Sequence, residues 1–251
     1  KNYFLAITLI LSLSVIFQYL LFQNGIIIEY LKPGMCIMKN SMIVRCERFS
    51  GLFGSEYVAG GFLSMFGVFS IYIFYKFSSY NKLNLFIISV SLILTFIAII
   101  LSGGRNGVLI FFLILSFSII LSKELRNKII LFTIISILIT SFLISTSDNV
   151  KHRLIDWPST ILFKNNSNLI EGILNSPWGA HYVTAYDIYK ENKFFGSGYR
   201  TFREVCSPRN EEYLNQKYNL NISIDSGCST HPHNIYFEVI SELGLFGIIL
   251  F

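Results

Sequence analysis

Two histidines and an asparagine lie just before the last apolar segment of the chain, in Ser229-Thr-His-Pro-His-Asn-Ile-Tyr-Phe-Glu238. A neutral imidazole can take a proton from a hydroxyl nucleophile, which makes His233 a candidate general base. The three- to four-residue spacing places Asn234 and Glu238 on one face of the helix that follows. Glu242, in the same apolar helix, extends this face. Carboxylates are costly at membrane depth, so their presence there indicates a functional site.

Two other interpretations of these residues stay open. A histidine beside a helix start is more often a structural cap than a base. His231 and His233 could also bind a metal, but two histidines without a third ligand are weak evidence for such a site. We therefore predict no metal and no cofactor.

A candidate anion-binding residue, Arg105, lies between two apolar segments in Leu101-Ser-Gly-Gly-Arg-Asn-Gly107. The glycines predict a sharp turn that leaves the guanidinium at the membrane interface, where it can bind phosphate through two parallel hydrogen bonds. The first amides of the next helix, near Asn106, could also hold an anion. The alternative is an arginine that anchors a helix end at the interface.

Further basic residues could bind an anionic ligand. Arg48 precedes Gly51 and Gly54, whose spacing predicts an irregular loop before the next apolar segment. The long polar segment after residue 146 supplies the others: His152, Arg153, Arg200, Arg203 and Arg209. For Arg209 and for Lys217 we expect a solvated surface position.

The composition decides the class of protein. Hydrophobic residues make up 53% of the chain and charged residues only 14%, against about 25% in a typical soluble domain. Five stretches lack charge: 2–28, 57–75, 83–104, 106–122 and 129–147. A sixth begins near Ile235 and is still apolar at Phe251. Because a spanning helix needs about 20 apolar residues, the sequence predicts an all-α polytopic membrane protein.

Short basic connections set the expected orientation. Lys76 and Lys82 flank one of them and residues 123–128 form another, so both should be cytoplasmic. The remaining connections then face outwards. We expect transmembrane helices over 1–145 with an outer loop near 23–56, a long outer loop over 146–234, and the start of a further transmembrane helix over 235–251. The first residue, Lys1, and the apolar end suggest a fragment of a longer protein.

The long outer loop is rich in aromatic residues, so we expect it to be folded. Residues 178–192 predict a short amphipathic helix, and Phe194-Phe-Gly-Ser-Gly-Tyr-Arg200 predicts a glycine-rich turn.

All four cysteines lie in segments predicted to face outwards, where disulfides form in most cells. Pairing within each loop is the simplest option and would join Cys36 to Cys46 and Cys206 to Cys228. The alternative is free thiols buried at the membrane surface. The spacing lacks the tight C-x-x-C pairs of a zinc site.

The chain resembles the O-antigen ligase and O-antigen polymerase superfamily of bacterial inner-membrane proteins. The matching pieces occur in family order from about Arg48 onward. They are Arg48-Phe-Ser-Gly-Leu-Phe-Gly, Ser102-Gly-Gly-Arg105, Phe195-Gly-Ser-Gly-Tyr-Arg-Thr-Phe202, and His231-Pro-His-Asn through Gly247. The family turn has serine and arginine adjacent or nearly so, whereas two glycines separate them here.

The resemblance implies a helical bundle related to the GT-C glycosyltransferases, with a long periplasmic loop between the last two spans. It implies a metal-independent enzyme of lipopolysaccharide or exopolysaccharide biosynthesis in the inner membrane. Such an enzyme transfers a glycan from undecaprenyl diphosphate to a sugar hydroxyl, either of lipid A core or of a growing glycan. The implied partners are this donor, the acceptor and membrane lipid; no nucleic acid is expected.

The resemblance also implies roles for single residues. Arg105 would stabilise the charge of the leaving diphosphate, and His233 would deprotonate or orient the acceptor hydroxyl. A single displacement at the anomeric carbon would invert its configuration. The predicted substrate-binding residues are Arg48, Arg153, Arg200, Arg203, Asn234 and Glu238.

Two other classes of protein remain possible from the residues alone. A transporter would bury polar groups near the middle of the membrane and often shows inverted repeats. Here the unusual residues gather at one face, which favours chemistry at the membrane surface. A membrane-anchored protein that binds glycan without catalysis is the other alternative, and a choice between ligase and polymerase stays open.

Overall fold

The computed structural model describes residues 2–28, 31, 33–39, 42–54, 56–79, 81–121, 123–162, 169–221 and 227–251. The chain divides into two compact units, Lys1–Asp156 and Trp157–Phe251. The described residues are predominantly helical, as predicted. They also include one two-stranded antiparallel hairpin, which the sequence analysis did not anticipate.

Among the described residues of the first unit, four helices are long and apolar enough to cross a membrane. They are α1 (Asn2–Gln23), α2 (Ala59–Phe77), α3 (Lys82–Leu101) and α5 (Arg126–Thr146). The apolar helix α4 (Arg105–Leu121) is shorter, with 17 residues. These helices are those of a membrane-embedded, multi-pass protein.

Small and polar residues let these helices approach each other. Ser12 of α1 donates a hydrogen bond to Thr95 of α3, with an oxygen–oxygen distance of 3.3 Å. A Cβ on Gly67 of α2 would lie 3.1 Å from a methyl of Thr95 and 3.2 Å from one of Thr8. Membrane helices usually pack through small residues and interhelical hydrogen bonds, because the hydrophobic effect contributes little to their association in lipid.

A β-hairpin follows α1. Strand β1 (Gly34–Lys39) pairs with β2 (Met42–Arg48), and Cys36 lies opposite Cys46, to which a disulfide joins it. Such a crosslink limits the freedom of the unfolded segment.

The chain that leaves β2 is attached to α1. The Gly51 amide donates to the Gln18 side chain at 2.7 Å, and the Leu52 amide donates to Ser14 at 3.1 Å. The ring of buried Phe49 packs edge-on against Tyr19, with centroids 5.2 Å apart. These contacts fix the end of β2, where Glu47 and Arg48 lie, against the membrane helices.

The first unit ends with a short helix, α6 (Asp148–Lys151), followed by a π-helical turn, His152–Asp156. The second unit contains α7 (Trp157–Leu162), α8 (Leu169–Leu174), α9 (Pro177–Glu191), α10 (Phe202–Val205), α11 (Glu211–Tyr218) and α12 (Ile235–Leu250). The predicted amphipathic helix is α9. Ser176 caps it by accepting a hydrogen bond from the Gly179 amide at 3.1 Å.

A disulfide and a buried ion pair stabilise the second unit. A disulfide joins Cys206 to Cys228. Asp187 of α9 is fully buried, and its carboxylate accepts hydrogen bonds from Arg209 at 2.8 Å and from two tyrosines of α11. Lys217 also lies 2.8 Å from this carboxylate. The expectation of a solvated Arg209 is therefore wrong, because its side chain neutralises a buried carboxylate and is itself only 7% exposed.

Candidate functional site

Three arginines from separate segments of the first unit are close enough to interact electrostatically with each other and with the carboxylate of Glu47. Arg48 is the last residue of β2, Arg105 is the first residue of α4, and Arg153 lies in the π-helical turn after α6. Together with Glu47 and His152, these residues form what we call the arginine cluster. It brings together three of the predicted anion-binding residues.

Glu47 organises one side of the arginine cluster. Its carboxylate lies 2.9 Å from Nδ1 of His152 and 3.4 Å from a terminal nitrogen of Arg153. Arg153 is only 5% exposed, and its Nε donates to the carbonyl of Gly103 at 3.0 Å. Buried ions need such partners, because desolvation of an unpaired charge is expensive. Glu47 therefore orients Arg153 rather than serving as a ligand itself.

The predicted glycine turn between α3 and α4 is present. Gly103 has a positive φ of 68°, and a Cβ there would collide with the backbone carbonyl of Glu47. A Cβ on Gly107 would lie 2.6 Å from the carbonyl group of Gly60. The glycines thus let the turn approach both β2 and α2, and this approach brings Arg105 to the other arginines.

The arginine cluster carries excess positive charge. Partial burial, followed by repulsion from Arg153, lowers the pKa of Arg48, while Tyr57 and Glu47 act in the opposite direction. Arg105 is likewise repelled by Arg153 and Arg48. Guanidiniums stay protonated in proteins, so this repulsion raises the affinity for an anion.

One donor of the arginine cluster is left unused. Nε of Arg48 is buried and has no hydrogen-bond partner within the described part of the chain. The guanidinium of Arg48 lies 5.0 Å from the ring centroid of Tyr57, which holds it in place. Buried hydrogen-bond donors in proteins normally have an acceptor, and a bound anion would be an acceptor for this one.

An open groove of about 470 Å³ begins at Arg105 and follows α4. Its lining includes Val108, Leu109, Phe112 and Ser116, which share one helix face by their three- to four-residue spacing. At 1.5 Å per residue, the groove runs about 16 Å along the helix axis. The groove therefore suits an apolar chain attached to a phosphate, with the phosphate at Arg105 and the chain along α4.

His233 lies in the second unit, immediately before α12. Asn234 caps this helix, because its Oδ1 accepts from the amides of Tyr236 at 3.0 Å and Phe237 at 3.4 Å. His233 itself has a positive φ of 56° and an exposed side chain. The cap fixes the direction in which the chain enters the helix. The structure thus gives Asn234 a role in placing its neighbour.

Two further histidines surround His233. The His231 ring centroid lies 4.4 Å from that of His233, and the His181 centroid lies 5.2 Å from it. Although the side chain is exposed, its neighbours remove part of the hydration of the ring, and this desolvation, followed by repulsion from His231 and His181, lowers the pKa of His233. The imidazole is therefore neutral near pH 7 and able to accept a proton. Within the described residues, no three His, Cys, Asp or Glu side chains are arranged to hold a metal ion.

The remaining predicted substrate-binding residues lie elsewhere in the second unit. Arg200 is exposed, has a positive φ of 58°, and places its guanidinium 5.4 Å from the ring centroid of Tyr199. Arg203 is exposed on α10, and Glu238 is partly exposed in the first turn of α12.

Two residues with clear structural roles were missed by the sequence analysis. Glu47 was not considered, although its position next to Arg48 was a possible signal. Glu242 was expected either to tune His233 or to order its own helix, and its contact with a distant turn was not foreseen. The structure shows it 4% exposed, with its carboxylate on two backbone amides.

The sequence model of one protein family, described as O-antigen ligase, matches residues 90–251, well over half of the chain. The matched region includes Arg105, Arg153 and His233, and it begins after Arg48. No curated protein and no solved structure matches the chain. Membership indicates glycan transfer in O-antigen biosynthesis, with a lipid-linked glycan and an acceptor as partners. The match, the apolar helices and the order of the motifs agree, and the chain belongs to the O-antigen ligase family.

Proposed function

We propose that the protein transfers a glycan from undecaprenyl diphosphate to a sugar hydroxyl at the periplasmic face of the bacterial inner membrane. The observation that carries this proposal is the arginine cluster, in which three arginines interact electrostatically with each other and with one carboxylate, and a buried donor of Arg48 has no partner among the described residues. Such a group suits a diphosphate. The proposal places residues 1–145 in a GT-C-like helical region and residues 146–234 in the periplasmic loop.

The arginine cluster acts on the leaving group. As the bond between the anomeric carbon and the phosphate oxygen breaks, the diphosphate gains negative charge. Arg105 and Arg48 stabilise this charge with donors that are already in place, which is often the largest contribution to catalysis. Arg153 is held by Glu47 and Gly103, so it contributes mainly through its positive potential.

The groove along α4 receives the hydrocarbon part of the donor. It starts at Arg105 and is lined mainly by apolar side chains, so a chain whose diphosphate lies at the arginine cluster would lie against α4. Burial of apolar surface stabilises this arrangement. The groove therefore supports a lipid-linked donor rather than a free sugar phosphate.

His233 acts on the acceptor. The hydroxyl oxygen of the acceptor forms the new bond to the anomeric carbon, and its proton passes to the neutral imidazole. The products are the glycoside, with inverted configuration, and undecaprenyl diphosphate. The lowered pKa of His233 supports this role, because a general base must be unprotonated at the working pH.

The test is glycan transfer in a strain that lacks the gene and is complemented with the full-length gene. Arg105→Ala should abolish the product while lipid-linked donor accumulates. Arg126→Ala is the matched control, because this exposed arginine bonds only the Ile119 carbonyl among the contacts described and lies outside the arginine cluster. Wild-type product levels in Arg105→Ala, at equal protein in the membrane, would refute the proposal.

The same experiment separates the remaining alternatives. Single chains attached to lipid A core identify a ligase, and a ladder of repeat units without the core identifies a polymerase. A binding protein without catalysis would keep its affinity for glycan and show no turnover in the wild type.

A further inference from the structure

Helix α12 is interrupted, and a turn of the chain fills the break. Gly244 has φ 64° and ψ −158°, so no helical backbone passes through it. Residues 193–202, which we call the Arg200 turn, lie against the break. The amides of Ser197 and Gly198 donate to the carbonyls of Ser241 and Glu242, both at 2.9 Å.

The Arg200 turn also pairs with the second half of α12. The Leu245 amide donates to the Lys193 carbonyl at 2.9 Å, and the Phe246 amide donates to the Phe194 carbonyl at 3.1 Å. The turn thus satisfies the backbone groups that a broken helix leaves without partners. Such satisfaction is required wherever a helix breaks in an apolar setting.

Glycines make this close contact possible. A Cβ on Gly244 would lie 2.6 Å from the carbonyl group of Phe194 and 2.7 Å from the amide nitrogen of Gly196. A Cβ on Gly196 would collide with the backbone of Glu242. The two segments therefore have little freedom to shift relative to each other.

Glu242 adds a second connection through its side chain. One carboxylate oxygen accepts from the Arg200 amide at 2.7 Å, and the other accepts from the Phe202 amide at 3.1 Å. These are charge-assisted hydrogen bonds, which are stronger than neutral ones. A buried carboxylate is costly unless it is satisfied in this way. The carboxylate thus holds both ends of the three-residue stretch that contains Arg200.

Arg200 needs such support. Its φ of 58° lies in the left-handed region, which is unfavourable for a residue with a side chain. Its guanidinium lies over the exposed ring of Tyr199, and the side chain itself is exposed. Strained backbone that the surroundings enforce is often found where a side chain must be held in one direction.

We propose that Glu242 is a positioning residue that holds the Arg200 backbone, so that the exposed guanidinium is presented to an anionic group of the glycan donor. The inference rests on the proposed function. It gives the carboxylate in the apolar helix a role that is separate from proton transfer, and it explains why the glycine-rich turn precedes an arginine.

The test is the kinetics of glycan transfer by the full-length enzyme in membranes, with the concentration of lipid-linked donor varied. Glu242→Gln keeps the shape but presents an amide N–H₂ to one of the two backbone donors. Loss of one charge-assisted hydrogen bond corresponds to about a tenfold effect. We expect KM for the donor to rise about tenfold with kcat little changed. Glu212→Gln on α11 is the matched control, because Glu212 is an exposed glutamate that contacts Gln216.

A second variant keeps the inference testable if Glu242→Gln does not fold. Arg200→Gly removes the guanidinium, keeps the amide that Glu242 binds, and relieves the left-handed strain. It should fold normally and raise KM to the same extent. The double variant should be no worse than Arg200→Gly alone, because both act through one group.

The outcomes separate this inference from the proposed function. An unchanged KM in Arg200→Gly, or multiplied effects in the double variant, would overturn the role of Glu242. If Arg105→Ala abolishes transfer while the Glu242 and Arg200 variants behave as wild type, the function stands and this inference falls. If the wild-type enzyme makes no product, both the proposed function and the role of Glu242 are wrong.

Discussion

Replacement of Gly244 by alanine tests whether the broken helix organises the second unit. The backbone conformation of Gly244 is restricted almost entirely to glycine, so an alanine there costs about 1–3 kcal/mol. The new Cβ would also lie 2.6 Å from the Phe194 carbonyl group, which forces the Arg200 turn away. That shift weakens the hydrogen bonds of Leu245 and Phe246, at about 1 kcal/mol each. The expected loss of unfolding free energy is about 3–5 kcal/mol.

Two glycines provide matched controls for this replacement. Gly25 has a positive φ of 74° but nothing within 4 Å of a Cβ, so Gly25→Ala isolates the backbone cost, about 1–2 kcal/mol. Gly61 is helical with open space around it, so Gly61→Ala should be neutral or stabilise by up to about 1 kcal/mol. The order of stability should therefore be Gly61→Ala, wild type, Gly25→Ala and Gly244→Ala.

Thermal unfolding in detergent, followed by tryptophan fluorescence, measures this loss. Both tryptophans of the protein, Trp157 and Trp178, lie in the second unit with ring centroids 5.0 Å apart, so the signal reports on that unit. The control glycines, Gly25 and Gly61, lie in the first unit, so far-UV circular dichroism follows the unfolding of their variants. For a unit of this size, 1 kcal/mol corresponds to about 4–8 °C, so Gly244→Ala should lower Tm by about 12 °C or more. A Tm equal to that of wild type would refute the contact between the Arg200 turn and the broken helix.

Three further predictions follow from the second unit. Asp187→Asn leaves Arg209 without its buried partner and should destabilise the unit by about 3–5 kcal/mol in denaturant titrations. Burial raises the pKa of Asp187, but its hydrogen bonds outweigh this and lower the pKa to about 2, so the stability from this carboxylate should be lost as pH falls from the ordinary range of aspartate towards 2. Replacement of both Cys206 and Cys228 by serine should cost about 3 kcal/mol for a separation of 22 residues, and reducing agent should then have no effect on the Tm that tryptophan fluorescence reports for the second unit. Because partial desolvation of the ring and the neighbouring histidines lower the pKa of His233, the transfer rate should persist below the ordinary histidine range. His231→Gln should move the acid limb of the pH–rate profile to higher pH.

The sequence predicts the elements whose signals are local. Charge-free stretches predict the membrane helices, and the glycines before Arg105 predict its turn. Helix α9 begins and ends within one residue of the predicted amphipathic segment, residues 178–192. The structure also joins the same cysteines that the loop positions pair.

Other features depend on contacts between distant residues and have no local signal. Glu47 and Arg153 are 106 positions apart, so their ion pair cannot be read from either segment. The break in α12 is equally hidden, because Gly244 in an apolar stretch also suits close packing of a second helix. Only the Arg200 turn, more than forty residues earlier, explains the break. The exposure of Arg209 was predicted wrongly for the same reason, since its partner Asp187 lies on α9, 22 positions earlier in the chain.

The most direct test of the account is a comparison of donor binding with a single turnover in the purified full-length enzyme. His233→Ala should bind lipid-linked donor with wild-type affinity and transfer none of it, because only the proton acceptor is lost. Arg105→Ala should bind the donor at least tenfold more weakly, consistent with the loss of a charged hydrogen bond to phosphate, roughly 1.5–3 kcal/mol. Wild-type affinity in Arg105→Ala together with normal turnover in His233→Ala would contradict the central claim that the arginine cluster holds the diphosphate and His233 activates the acceptor.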